Sequence, residues 1–126
     1  MSTPRTTFSA VLGVVLCNIR LHQAIEQAEI AERMGLSQAS YSRLENGKAA
    51  FSVDQMYQAA DALGITGEEI SRNLNSVVRS LIKEGIEVVP QVRGNSGQAK
   101  DSIRAADKLL RGSTLSSVLI GILGNS

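Results

Sequence analysis

Apolar residues recur at three- and four-residue intervals from Phe8 to Ile82, and glycines interrupt the pattern at residues 35, 47, 64 and 85. A chain patterned this way buries its apolar stripes as several short helices packed on one another, because the period fits no strand. Phe8, Val11, Leu12, Val15, Leu16 and Ile19 mark the first stripe. Gly13 lies inside it, at up to about 1 kcal/mol less helix stability than alanine, which implies a close approach there. A second helix, Gln27–Met34, turns Ile30, Ala31 and Met34 inward and Glu29, Glu32 and Arg33 outward, and Gly35 suits its C-terminal stop. Ser37 is a good N-cap for a third helix through Glu45, with Tyr41 and Leu44 on one face and Asn46-Gly47 closing it. Ser52 with Gln55, and Thr66 with Glu69, have capping-box spacing. They open a fourth helix through Leu63 and a fifth that buries Ile70, Leu74, Val77, Val78, Leu81 and Ile82 before Gly85.

Composition narrows the class. At 126 residues, one domain, or a small domain with an extension, is expected. The hydrophobic share of 43% and the net charge of +1 exclude a wholly disordered chain. No apolar run reaches the roughly 18 residues of a spanning helix, and the first residues lack the basic region and cleavage site of a signal peptide. One cysteine, Cys17, cannot close an intramolecular disulfide and favours a reducing compartment. The expectation is a soluble cytoplasmic protein with no membrane partner. Charge divides the chain near residue 70. Residues 1–70 hold five basic and eight acidic groups, a net of −3, and residues 71–126 hold eight and four, a net of +4. Domains are therefore placed at 1–70 and 71–126. Nucleic-acid binding by the first must rest on local placement of charge.

Beyond Gly85 the pattern weakens. Ile86, Val88 and Val89 before Pro90 read as a short strand or an extended connector, and residues 92–98 as a loop. Ala99–Arg111 has helical spacing with Ile103, Ala106, Leu109 and Leu110 on one face. Ser113 or Thr114 then caps a final segment carrying Leu115, Val118, Leu119, Ile120, Ile122 and Leu123, apolar on all sides and too short to span a bilayer. Such a segment must be buried, either in a groove of its own monomer or between subunits. Self-association through those six residues, which buries them between subunits, is the reading favoured here.

The two short helices Gln27–Met34 and Gln38–Glu45, joined by Gly35-Leu36-Ser37, form a helix-turn-helix arrangement, in which the second helix enters the DNA major groove. The run from Gln27 to Lys48, QAEIAERMGLSQASYSRLENGK, closely resembles the Cro and lambda-repressor-like (XRE) family. The similarity extends without a gap over about residues 8–65. The resemblance implies an all-α, five-helix helix-turn-helix domain, here with a mostly helical C-terminal extension. It also implies that Gln27 contacts a phosphate and buttresses the recognition helix. Ser37, Gln38, Ala39 and Ser40 would open that helix. Gln38 is suited to adenine and Ala39 to a thymine methyl. Arg43 would read guanine or grip phosphate, Asn46 and Lys48 would meet the backbone, and Arg20 with Glu45 would form an internal ion pair. Only the base contacts among these carry sequence information.

Two positions depart from the family pattern. Ala24 stands for the usual turn glycine, and Glu26 for the usual serine or threonine cap, which implies a less standard join between the first two helices. Glu26, Glu29 and Glu32 make the bracing helix acidic, opposing a nearby phosphate and implying modest affinity per monomer. Tyr41 reads better as core than as a base-stacking ring. His22 has no acid or cysteine cluster about it and reads as a helix-end surface residue rather than a ligand, and Cys17 as a packed thiol rather than a redox sensor. No metal, cofactor or catalytic constellation is indicated. The function implied is a sequence-specific DNA-binding transcriptional regulator, a repressor acting as a dimer or larger oligomer on duplex DNA. Two other readings stand beside it. One is an antitoxin-like chain whose C-terminal region neutralises a partner protein; the other is a multimeric nucleoid-organising or phage-type regulator.

Overall fold

Backbone hydrogen bonding realises the apolar period as five helices, α1 (Phe8–His22), α2 (Gln27–Arg33), α3 (Gln38–Glu45), α4 (Val53–Leu63) and α5 (Gly67–Lys83). The computed structural model describes residues 3–91. Two three-residue strands flank the helices, β1 (Arg5–Thr7) and β2 (Glu87–Val89). They pair in parallel, with Thr6 opposite Val88 and Thr7 opposite Val89. The helical expectation holds. Strand β1 is an addition to it, since three residues before a helix carry too little pattern to read, and of the segment Ile86–Val89 the last three residues take the strand alternative. Residues 92–98, the helix expected at Ala99–Arg111, and the self-association candidates Leu115, Val118, Leu119, Ile120, Ile122 and Leu123 lie outside the described residues.

Local chemistry sets the helix starts. Thr7, Ser37, Ser52 and Thr66 each accept a hydrogen bond from a first-turn amide, at 3.0, 3.1, 3.0 and 3.1 Å. The last two are complete capping boxes. Glu26 is the exception: it occupies the N-cap of α2 without a side-chain bond.

All five helices end by one device. A residue in the left-handed region stops the helix, and the next residue returns its N–H to the carbonyl five positions back. The closing bonds are Ile25 to Arg20, Leu36 to Ala31, Lys48 to Arg43, Ile65 to Ala60 and Ile86 to Leu81, at 2.8–3.0 Å. Glycine supplies the turn four times. After α1 it is Ala24, with φ of 58°. The join is thus the ordinary turn, made by a residue that pays steric strain for it.

Helix α1 is the central element, packed against α3, α4, α5 and β1. Val11, Val15, Leu16 and Ile19 meet Ile30, Tyr41, Ile70, Val77 and Leu81 in one core. Two expected core residues lie outside it. Phe8, which opens α1, is 40% exposed, and Ile82 is 57% exposed. The buried face of α5 centres on Ile70, Asn73, Val77 and Leu81, rotated toward Asn73 from the predicted stripe, so Leu74 is only half-buried. Periodicity identifies a face but not where the partner surface ends. Helix α5 runs through residue 70 without a break, and its later turns sit in the same core as α1.

Gly13 marks the closest approach. A Cβ there would sit 2.8 Å from the Leu44 carbonyl oxygen and nearer still to that of Glu45. Gly13→Ala is expected to lower stability by about 1–3 kcal/mol through overpacking, despite alanine's better helix propensity, as a lower denaturant midpoint. Ala24→Gly should act in the opposite direction. Relief of the left-handed alanine outweighs the added unfolded-state entropy, for a gain of about 0.5–1 kcal/mol read as a higher melting temperature.

Candidate nucleic-acid interface

Helix α3 is invested on one side and open on the other. Tyr41 and Leu44, one turn apart, point into the core and are buried, as is Glu45. Gln38, Ala39, Ser40 and Arg43 are exposed, and so are Asn46 and Lys48 just beyond. The polar set singled out in the sequence thus lies along the helix and the turn that follows it. Ser37 stands apart in chemistry. Its Oγ accepts from the Ser40 amide at 3.1 Å and donates to Ser40 Oγ at 2.9 Å, so its hydroxyl is engaged in capping.

A buried ion pair fixes the far end of the helix. Arg20 grips Glu45 with two parallel bonds, Nε to Oε2 at 3.0 Å and Nη2 to Oε1 at 2.8 Å. This fork geometry is the strong form of the interaction. Nη1 of the same arginine donates to the Ile25 carbonyl at 2.9 Å, and Nη2 reaches Cys17 Sγ at 3.8 Å. Gln27 Nε2 also donates to Glu45 Oε1, at 3.1 Å, tying the start of α2 to the end of α3.

Burial pushes the Glu45 carboxyl up, but Arg20 first, then the nearby Tyr41 hydroxyl and Gln27, outweigh it and hold the group below its ordinary value of 4.5. The bond to Glu45 raises the Arg20 guanidinium further above its already high range. Tyr41 is fully buried, and its hydroxyl falls short of a hydrogen bond. Burial first, and the neighbouring Glu45 carboxylate second, keep the phenol well above its usual range. Tyr41 is therefore a neutral core residue.

The turn after α3 departs from the other four helix ends. At those ends the residue following the left-handed position is apolar: Ile25, Leu36 and Ile65 pack against the core, and Ile86 lies within it. Such a contact is the usual companion of the turn. At α3 that place belongs to Lys48, which is exposed. An exposed lysine stands where the other four turns carry an anchoring side chain. In the sequence this shows as a glycine followed by a charged rather than an apolar residue, a contrast visible only when all the helix ends are compared.

The acidic character of α2 is partly offset. Glu29 pairs with Arg33 at 2.5 Å, and Arg33 Nη1 also donates to the Ala62 carbonyl at 2.7 Å. Gln23 Nε2 donates to the Leu63 carbonyl at 3.0 Å, so both side chains satisfy carbonyls at the end of α4. These roles had no signal in the local sequence. His22 ends α1 on the surface. Among the described residues no three His, Cys, Asp or Glu side chains come together as metal ligands, and no single helix is long and apolar enough to cross a membrane.

Residues 18–70 match the family model described as helix-turn-helix. Comparison with curated proteins and with solved structures gives no match.

Because the folded-state pKa of Glu45 is depressed, its contribution to stability is fully present above about pH 4.5 and is lost as pH falls below that value toward the folded pKa. Unfolding free energies measured by denaturant titration at pH 7 and pH 3.5 should show this loss. Glu45→Gln should remove that part of the acid dependence and lower stability at pH 7 by about 3–5 kcal/mol, because Arg20 is left buried without its counter-charge.

Proposed function

From the premise that residues 18–70 are a domain of the XRE/lambda-repressor-like helix-turn-helix family, and the chain thereby a DNA-binding transcription regulator, we propose a repressor. It reads an inverted-repeat operator as a dimer or larger oligomer. The observation that carries this reading is the two-sided character of α3. Its inner face is fixed by Tyr41, Leu44 and the Arg20–Glu45 pair, while Gln38, Ala39, Ser40 and Arg43 are exposed. A helix held this firmly, with amide, methyl, hydroxyl and guanidinium groups facing outward, suits a groove whose base edges offer donors, acceptors and thymine methyls.

Each side chain has an assigned part. Gln38 pairs with adenine through its amide, Ala39 meets a thymine methyl, and Ser40 bonds a base edge or the adjacent phosphate. Arg43, one turn on, reads guanine. Gln27, Ser37, Asn46 and Lys48 set affinity and register through the backbone: Ser37 by shaping the helix start, the other three by phosphate contacts. The exposure of Lys48, where the other helix ends bury an apolar residue, favours this part for it. Glu26 at the N-cap of α2 and Glu32 within it are exposed, and their charge weakens a single domain's hold on DNA. Self-association through the apolar residues of segment 114–125 supplies the second half-site contact.

Selection from a random duplex library with the full chain, at about physiological salt, tests the reading. The expected product is an inverted repeat with half-sites about one helical turn or a multiple apart. Gln38→Ala and Arg43→Ala should each relax preference at particular base pairs by about 1–3 kcal/mol, whereas Lys48→Ala should weaken all sequences alike. Recovery of no enriched sequence would remove the specific-regulator reading and return attention to a protein partner held by the C-terminal region.

A further inference from the structure

The loop between α3 and α4, residues 46–52, is the place where an exposed lysine stands in for an anchoring side chain. Its first half is nonetheless tied to α3. Gly47, Lys48 and Ala49 donate their amides to the Leu44 and Arg43 carbonyls at 2.8–3.2 Å. Its second half is tied elsewhere. The Phe51 amide donates to Ser9 Oγ at 2.6 Å, across 42 positions of chain.

Ser9 sits four residues before Gly13 and so on the same face of α1. That face runs along the end of α3 and its loop. Gly13 lies against the Leu44 and Glu45 carbonyls, Arg20 holds the Glu45 carboxylate, and Ser9 holds Phe51. Three features of one helix thus register one segment, from the last turn of α3 to the start of α4. At the other four helix ends an apolar residue does this work immediately after the turn. Here it is displaced three residues, to half-buried Phe51, and carried by a hydrogen bond.

We infer that Ser9 is a positioning residue for DNA binding. It touches no DNA, and it holds the loop so that Lys48 stays outside the core at a fixed distance from α3, ready to meet a phosphate. This assignment rests on the phosphate-contacting part proposed above for Lys48. Loss of the Ser9 hydroxyl leaves α3 and its base-reading face in place and loosens only the backbone contact. Its signature is therefore in affinity and salt dependence, not in base preference.

The test compares full-length Ser9→Ala, Ser9→Thr and Lys48→Ala with the parent chain, all well below their unfolding transitions. Without DNA, exchange of the Phe51 amide followed by NMR should speed up about fivefold or more in Ser9→Ala and stay near the parent rate in Ser9→Thr, which keeps the acceptor. With a duplex of fixed sequence, the slope of log affinity against log salt should shrink by about 0.9 in Lys48→Ala, one phosphate contact. It should shrink by a similar amount in Ser9→Ala and be restored in Ser9→Thr, with base preferences unchanged throughout. If Lys48→Ala lowers the slope and Ser9→Ala does not, the assignment of Ser9 is overturned, whatever the amide exchange shows. If Lys48→Ala itself leaves the slope unchanged, the phosphate contact of the loop fails first and the positioning role falls with it. Unaltered Phe51 exchange in Ser9→Ala would remove the hydrogen bond on which the inference stands.

Discussion

The contact between α1 and the last turn of α3 is the constraint on which the remaining geometry depends. Helix α3, eight residues long, is too short to be stable alone, so its direction is whatever its neighbours impose. Gly13 lets the α1 backbone come within reach of the Leu44 and Glu45 carbonyls, and Arg20 then closes on the Glu45 carboxylate from two turns further along. Contact at two points along the same helix fixes both the distance and the rotation of α3. A buried ion pair is weak evidence of net stability, because desolvation offsets much of its Coulomb energy. Its geometry is nonetheless specific, since a bidentate fork tolerates little change in angle. The pair is best understood as setting orientation.

The uniform helix endings give that orientation a background against which exceptions can be seen. Four of the five turns are followed by an apolar side chain anchored against or within the core. Such repetition means that departure at Lys48 is not explained by the turn itself, which is formed as well as the others. The same backbone closure is kept and only the anchoring side chain is given up. A consistent local rule broken at one exposed place is what a functional requirement looks like in a folded chain. Asn73 is a second departure, a buried polar residue in the centre of the α5 face, and nothing in the structure explains it.

Much of this was legible in the sequence, for identifiable reasons. Helix starts and stops rest on residues with strong local preferences, Ser52 with Gln55 or Gly64 after Leu63, and these act over four or five positions. The exposed set on α3 follows from the inward spacing of Tyr41 and Leu44 and from the family resemblance. What was not legible depends on separations no local pattern encodes. Strand β1 exists only because β2, some eighty residues later, lies beside it. Ser9 gains its partner across the whole α1–α3 unit, and Arg33 and Gln23 meet carbonyls at the far end of α4. The misplacement of Phe8 and Ile82 has the same origin, since a stripe extends past the surface that covers it.

The join between α1 and α2 shows how one long-range interaction sustains a locally unfavourable one. Ala24 adopts a left-handed conformation at a cost of about 1–2 kcal/mol, and Glu26 opens α2 with no side-chain cap. By local rules this is the weakest turn in the domain. Yet Arg20, while holding Glu45, also donates to the Ile25 carbonyl between those two residues, and Gln27 just after them donates to the same Glu45. The turn is thus clamped on both sides by groups that converge on the carboxylate at the end of α3. The Arg20–Glu45 pair therefore bears on α3 and on the turn that leads into α2 at once. Arg20 and Gln27 thus tie the two helices of the motif to one another and to α1 through a single carboxylate.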